Sequence, residues 1–123
     1  MVSLRGIRGA TTCDQNTKDS ILEATSELLQ ELIENNNVKP DDVAAVIFTT
    51  TQDLTAEFPS VAARIMGWDQ VALMCSHEMA VPDAQTKCIR ILILLNTDKA
   101  SSEITNIYLR DAKSLRSRGT EMV

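Results

Sequence analysis

Residues 87–95, KCIRILILL, constrain this chain more than any other stretch. The run is apolar, rich in β-branched residues and bounded by polar segments, as expected of a strand covered on both faces. Arg90 interrupts it. Side chains on a strand alternate, so Arg90 shares a face with Cys88, Leu92 and Leu94, whereas Ile89, Ile91 and Ile93 line the other. A guanidinium cannot shed its charge, and burying it unpaired is costly. It therefore requires an anion. Glu78 upstream is one candidate, which would make an internal ion pair, and an anionic ligand is the other.

At 123 residues the chain is long enough to bury roughly two thirds of its unfolded surface as one unit. No Pro/Gly/Ser-rich linker divides it, so we expect a single domain over 1–116 followed by a flexible, polar C-terminal tail over 117–123. The start lacks the apolar core of a signal peptide, and the longest apolar run is far too short to span a bilayer, so the expected location is the cytoplasm. Three cysteines at scattered positions fit reduced thiols better than a disulfide framework. The formal net charge of −5 and the aromatic content of 3% argue against nucleic acid as a partner.

Along the chain, 2–12 alternates as a strand in which Gly6 and Gly9 flank a bare stretch, a place where a ligand or another chain can approach Arg8. The clearest helix follows. Asn16 or Thr17 caps it, Asp19 supports the first turn, and Ile21, Leu22, Thr25, Leu28, Leu29, Leu32 and Ile33 form one apolar face, with the Asn35-Asn36-Asn37 run at its end. A second buried strand is expected over 43–51, a short helix over 61–66 stopped by Gly67, and a third strand over 71–76. Residues 103–115 read as a strand pair or a kinked strand, with Ile107 and Leu109 toward the core and Tyr108 on the opposite side.

The fold class is thus α+β: a mixed sheet of about five strands packed with one long helix and short helices. One helix cannot cover both faces of a sheet whose central strand is apolar on both. A neighbouring subunit is the economical second cover, so a homo-oligomer is expected, and clefts between subunits could gather arginines that are scattered along the chain.

Cys75 and His77 raise a different chemistry, a nucleophile and base for a hydrolase, although no family signature surrounds either residue. The cysteines and the single histidine show no paired metal-ligand spacing, and there is no Gly-rich phosphate loop, so no metal or cofactor is expected.

RGIRGATT at 5–12, the spacing of Asp53, Phe58-Pro59 and Arg64 before Gly67-Trp68, Cys75-x-x-Glu78-Met79, Lys87-Cys88-Ile89-Arg90, Tyr108-Leu109 and Leu115-Arg116 occur in order over nearly the whole chain. Together they resemble the monofunctional AroH-class chorismate mutases. The resemblance implies a homotrimer forming a pseudo-α/β barrel, with active sites in clefts between subunits. The implied activity is the cofactor-free rearrangement of chorismate to prephenate on the route to phenylalanine and tyrosine. By the same resemblance, Arg90 is the cation near the ether oxygen, and Glu78 with Cys75 attends the ring hydroxyl. Arg8 and Tyr108 hold the enolpyruvyl carboxylate. Phe58, Ser60, Arg64, Leu73 and Met74 contribute to the substrate-binding wall, and Leu115 and Arg116 belong to a closing C-terminal segment. The chain departs from the family pattern at Ser60, Val61, Asp83 and Ser117, where alanine, lysine, glycine and proline are usual. A trimeric carboxylate-binding module without turnover is the alternative from another class.

Overall fold

The computed structural model describes residues 1–117, and the side chains of residues 1–115. Five strands, β1 (Ser3–Thr12), β2 (Val43–Thr50), β3 (Leu73–His77), β4 (Cys88–Thr97) and β5 (Ile107–Tyr108), form one sheet in the order β3-β2-β4-β1-β5. The sheet is mixed. The central strand β4 pairs antiparallel with both β1 and β2, whereas the outer strands β3 and β5 run parallel to β2 and β1.

The long helix α1 (Lys18–Asn36) begins at Thr17, whose side chain accepts from the Ser20 N–H, and ends at Asn37 in the left-handed conformation, φ 52°. Asn16 is free of the cap and holds a neighbouring loop instead: its Oδ1 accepts from the N–H groups of Thr55 and Ala56 at 2.9 and 3.0 Å. Helix α1 buries Ile21, Ala24, Thr25, Leu28, Leu29 and Leu32. Leu28, Leu29 and Leu32 pack with Ile7, Val46, Phe48, Ile91 and Ile93 of the sheet. The short helix α2 (Val61–Ile65) contributes Ala63 to this core, and Trp68 beyond it is 6% exposed.

Gly9 shows why its backbone is bare. A Cβ there would lie 2.9 Å from the tips of Leu28 and Leu32 and 3.2 Å from the Ile107 carbonyl oxygen. The close approach is therefore by α1 and β5 of the same chain, not by a ligand.

One expectation is corrected. The segment 103–115 is not a strand pair: only Ile107 and Tyr108 join the sheet, and a 3₁₀ segment, Arg110–Ser117, follows. The reason is local. Arg110 adopts φ 51°, which breaks extended backbone, and its guanidinium holds the turn by donating to the Thr12 carbonyl at 3.1 Å and to Glu27 at 3.3 Å. The uncovered face expected of a sheet with one long helix is present. Ile89, Ile91, Ile93 and Leu95 of β4 are buried, but Arg90 is exposed and Leu92 and Leu94 are half-buried, so within one chain the second face of the sheet is open.

Candidate active site

The open face is defined by the register. Arg90 lies across from Ala10 of β1 and Thr49 of β2, Leu92 across from Arg8 and Ile47, and Met74 of β3 across from Ile47. Cross-strand partners share a face, so Arg8, Thr49, Met74 and Arg90 project to the same side. Tyr108 joins them because it pairs with Ala10.

Glu78 follows β3 immediately, and its N–H donates to the Thr50 carbonyl at 2.8 Å, which turns its side chain over the open face. There Arg90 Nη1 donates to Glu78 Oε2 at 3.0 Å, and the Thr49 hydroxyl donates to the same oxygen. The ion pair expected as the plain explanation of Arg90 therefore exists. It leaves half of the Arg90 side chain exposed. Arg8 is exposed, its backbone N–H donates to Asn106 Oδ1 at 2.8 Å, and its guanidinium has no carboxylate partner among the described residues.

Arg8, Glu78, Arg90, Tyr108 and Leu115 line one cavity of about 380 Å³, with Thr51, Cys88 and parts of 79–85 completing its wall. A smaller recess of about 180 Å³ shares Arg8, Glu78, Arg90 and Tyr108 and reaches Thr49. Two arginines against one carboxylate leave net positive charge in a space large enough for a small organic anion.

The other expected residues lie elsewhere. Phe58 and Cys75 line a separate opening of about 320 Å³ together with Thr50, Pro59 and His77. Cys75 and Leu73 pair with Phe48 and Val46, so they face the core side of the sheet, and both pack against the core cluster. Met74 is on the open face and 65% exposed. Ser60 is buried at the start of α2, and Arg64 is exposed on that helix. The side chain of Arg116, and the tail beyond Ser117, lie outside the described residues.

The geometry disfavours a Cys75–His77 pair. His77 Nδ1 lies 3.2 Å from the Thr50 hydroxyl, and no hydrogen bond joins the ring to Cys75 among the described residues. Of the remaining thiols, Cys88 is pushed up to about 11 by burial and Cys13 is also raised, again chiefly by burial, so both stay neutral near pH 7. No group of three or more His, Cys, Asp or Glu side chains is placed to hold a metal among the described residues.

Three contributors escaped the sequence reading. Thr49 and Asn106 carry no pattern that marks them, and Asp53 appeared only as a spacing mark. Asp53 accepts from the Lys87 N–H at 2.9 Å and from the Thr51 hydroxyl, while Thr51 Oγ1 accepts from the Cys88 N–H at 3.0 Å. This clamp fixes Lys87 at φ 48° and launches β4 two residues before Arg90. Burial acts to raise the Asp53 carboxyl, but the Thr51 and Lys87 hydrogen bonds outweigh it and hold it below the usual range.

Residues 4–118 match the family described as chorismate mutase type I. This chain belongs to that family. It is 44% identical over 114 residues to the chorismate mutase AroH of Thermus thermophilus, covering 92% of this chain and 93% of the relative. It is 41% identical over 114 residues to the chorismate mutase AroH of Bacillus subtilis, covering 92% and 90%. Among solved structures, a chorismate mutase from Clostridium thermocellum superposes with a TM-score of 0.87 at 49% identity, covering 89% of this chain and 97% of that one. The chorismate mutase family thus accounts for the mixed five-stranded sheet, and no described helix is long and apolar enough to cross a membrane.

Proposed function

We infer that this chain is an isomerase that rearranges chorismate to prephenate for aromatic amino acid biosynthesis, and that the reaction takes place on the open sheet face around Arg90. The observation that carries the site is the convergence of Arg8, Glu78, Arg90 and Tyr108 on one cavity in a chain of this family.

Chorismate is a dianion, and its rearrangement breaks a C–O bond and forms a C–C bond within one molecule. Nothing is added or removed, so the chemistry calls for no nucleophile, general base or cofactor. A catalyst has two tasks: to hold the enolpyruvyl side chain over the ring, and to stabilise charge that develops as C–O cleavage runs ahead of C–C formation. Arg8 and Tyr108 hold the enolpyruvyl carboxylate. Arg90 donates toward the ether oxygen, where negative charge grows, and so binds the transition state more tightly than the ground state. Only Nη1 of Arg90 is engaged by Glu78, which leaves other N–H groups of the guanidinium for substrate. Glu78 accepts from the ring hydroxyl and stabilises the positive ring.

The same reading makes the protein a homotrimer in a pseudo-α/β barrel. Phe58 at 67% exposure, Met74 at 65% and Ile65 at 72% are large apolar side chains left open in a single chain, and the half-buried Leu92 and Leu94 lie on the open face. In the trimer, the opening that holds Phe58 and Cys75 faces the Arg90 cavity of an adjacent subunit, and Ser60, Arg64, Leu73 and Met74 complete that wall. Leu115 and Arg116 close over the substrate. Residues 1–116 act as one domain, and the cytoplasm is its location, in keeping with three free cysteines.

Loss of chorismate ultraviolet absorbance, with prephenate identified as product, tests the activity. Light scattering tests the assembly: the expected mass is three times the 13.5 kDa chain. Chorismate bound without turnover would instead favour a carboxylate-binding module, and a monomeric mass would overturn the shared site.

A further inference from the structure

We propose that Thr49 is a positioning residue that holds Glu78 in a one-point contact with Arg90 and thereby keeps the rest of the guanidinium directed at substrate. The inference rests on the reading of the site given above. Thr49 stands directly across from Arg90 in the pairing of β2 with β4. Its hydroxyl donates to Glu78 Oε2, and Arg90 Nη1 donates to that same atom at 3.0 Å. One carboxylate oxygen thus serves a neutral donor and a cation together, while Oε1 takes no hydrogen bond among the described residues.

An arginine and a carboxylate left to themselves favour a two-point fork, in which parallel N–H groups meet both oxygens. Such a fork would commit a second guanidinium edge to Glu78 and turn Oε1 away from a ligand. Thr49 draws Oε2 toward β2, and the Glu78 N–H is tied to the adjacent Thr50 carbonyl at 2.8 Å, so both ends of Glu78 are held by one strand. With the fork prevented, Oε1 stays available for the ring hydroxyl, and the unengaged N–H groups of Arg90 stay available for the ether oxygen. Thr49 touches the reacting atoms only through Glu78 and Arg90.

The test is steady-state turnover of chorismate by the full-length protein, Thr49→Val and Thr49→Ser, with the thermal midpoint of each. Valine keeps the shape and removes the donor; serine keeps the donor. Thr49→Val is expected to lower kcat about tenfold with a smaller change in KM, and Thr49→Ser to recover most of that loss, at similar thermal midpoints. Parental kcat in Thr49→Val, or an equal loss in Thr49→Ser, overturns the positioning role. If Thr49→Val does not fold, Thr49→Ala takes its place in the same comparison. An inactive parent protein overturns the reading of the whole site and this proposal with it, whereas an active parent with an undisturbed variant overturns the role of Thr49 alone.

Discussion

Arg90 and Glu78 meet through a single contact of 3.0 Å between Nη1 and Oε2, with Arg90 half exposed. A pair this open to water contributes on the order of 1 kcal/mol or less to stability. Its role is orientation: the contact occupies Nη1 alone and fixes the guanidinium while its other N–H groups stay free for substrate, so pairing and substrate binding are simultaneous uses of one cation.

Replacing Arg90 with Ala is expected to lower kcat by roughly 10²- to 10³-fold, the usual effect of losing one preorganised donor to developing negative charge. Arg90→Lys should recover little, because an ammonium cannot touch Glu78 and the ether oxygen with a planar fork. Thermal midpoints close to the parent's should accompany both losses, and a fully active Arg90→Ala would refute the assignment of the site.

The Asp53 clamp makes a prediction at acid pH. Its carboxyl titrates below the usual 3.8 when folded, so the clamp's stabilisation is present above that value and is lost as pH falls through the lower folded one. Urea midpoints of Asp53→Asn should lie below those of the parent at pH 7, and the gap should narrow toward pH 3. Because Asp53 is exposed, the gap will be modest.

Cys88 acts at the other end of the scale. Its thiol is raised from 9.0 to about 11 by burial, so between those values the unfolded chain releases a proton that the folded protein retains. Stability from this group is full below pH 9.0 and declines as pH rises toward about 11. Denaturant midpoints of the parent should fall more steeply over that range than those of Cys88→Ala.

Asn36 is 1% exposed and donates to the carbonyls of Leu32 and Thr105 at 3.0 and 2.8 Å, while its Oδ1 accepts from the Thr105 N–H at 2.8 Å. Asn36→Ala leaves that N–H and the Thr105 carbonyl without a partner, and should cost about 2–3 kcal/mol of unfolding free energy by urea titration.

How much of this was legible in the amino acids depended on whether a pattern or a single contact carried the information. Strands β1, β2 and β4 and helix α1 follow periods of 2 and 3.6, and the two faces of β4 divide as the alternation around Arg90 requires. The segment 103–115 misled because Ile104, Ile107 and Leu109 suggest a strand, whereas one left-handed residue, Arg110, decides the backbone. Asn36 looked like part of a helix-ending run, yet its amide is the bridge between α1 and residue 105. Thr49 is one of three consecutive threonines, and only strand register shows which hydroxyl meets Glu78. The wall residues around Phe58 are separated from Arg90 within the chain, a separation no spacing along a sequence encodes.

Arg90 belongs to the central strand of the sheet, flanked by β1 and β2, across from Ala10 and Thr49. Freeing this strand parts the two longest ladders of the sheet, which amounts to dissolving it. Amide exchange at this position should therefore report global unfolding rather than local opening, and on heating the enzyme should have no softened, partly active stage before it melts.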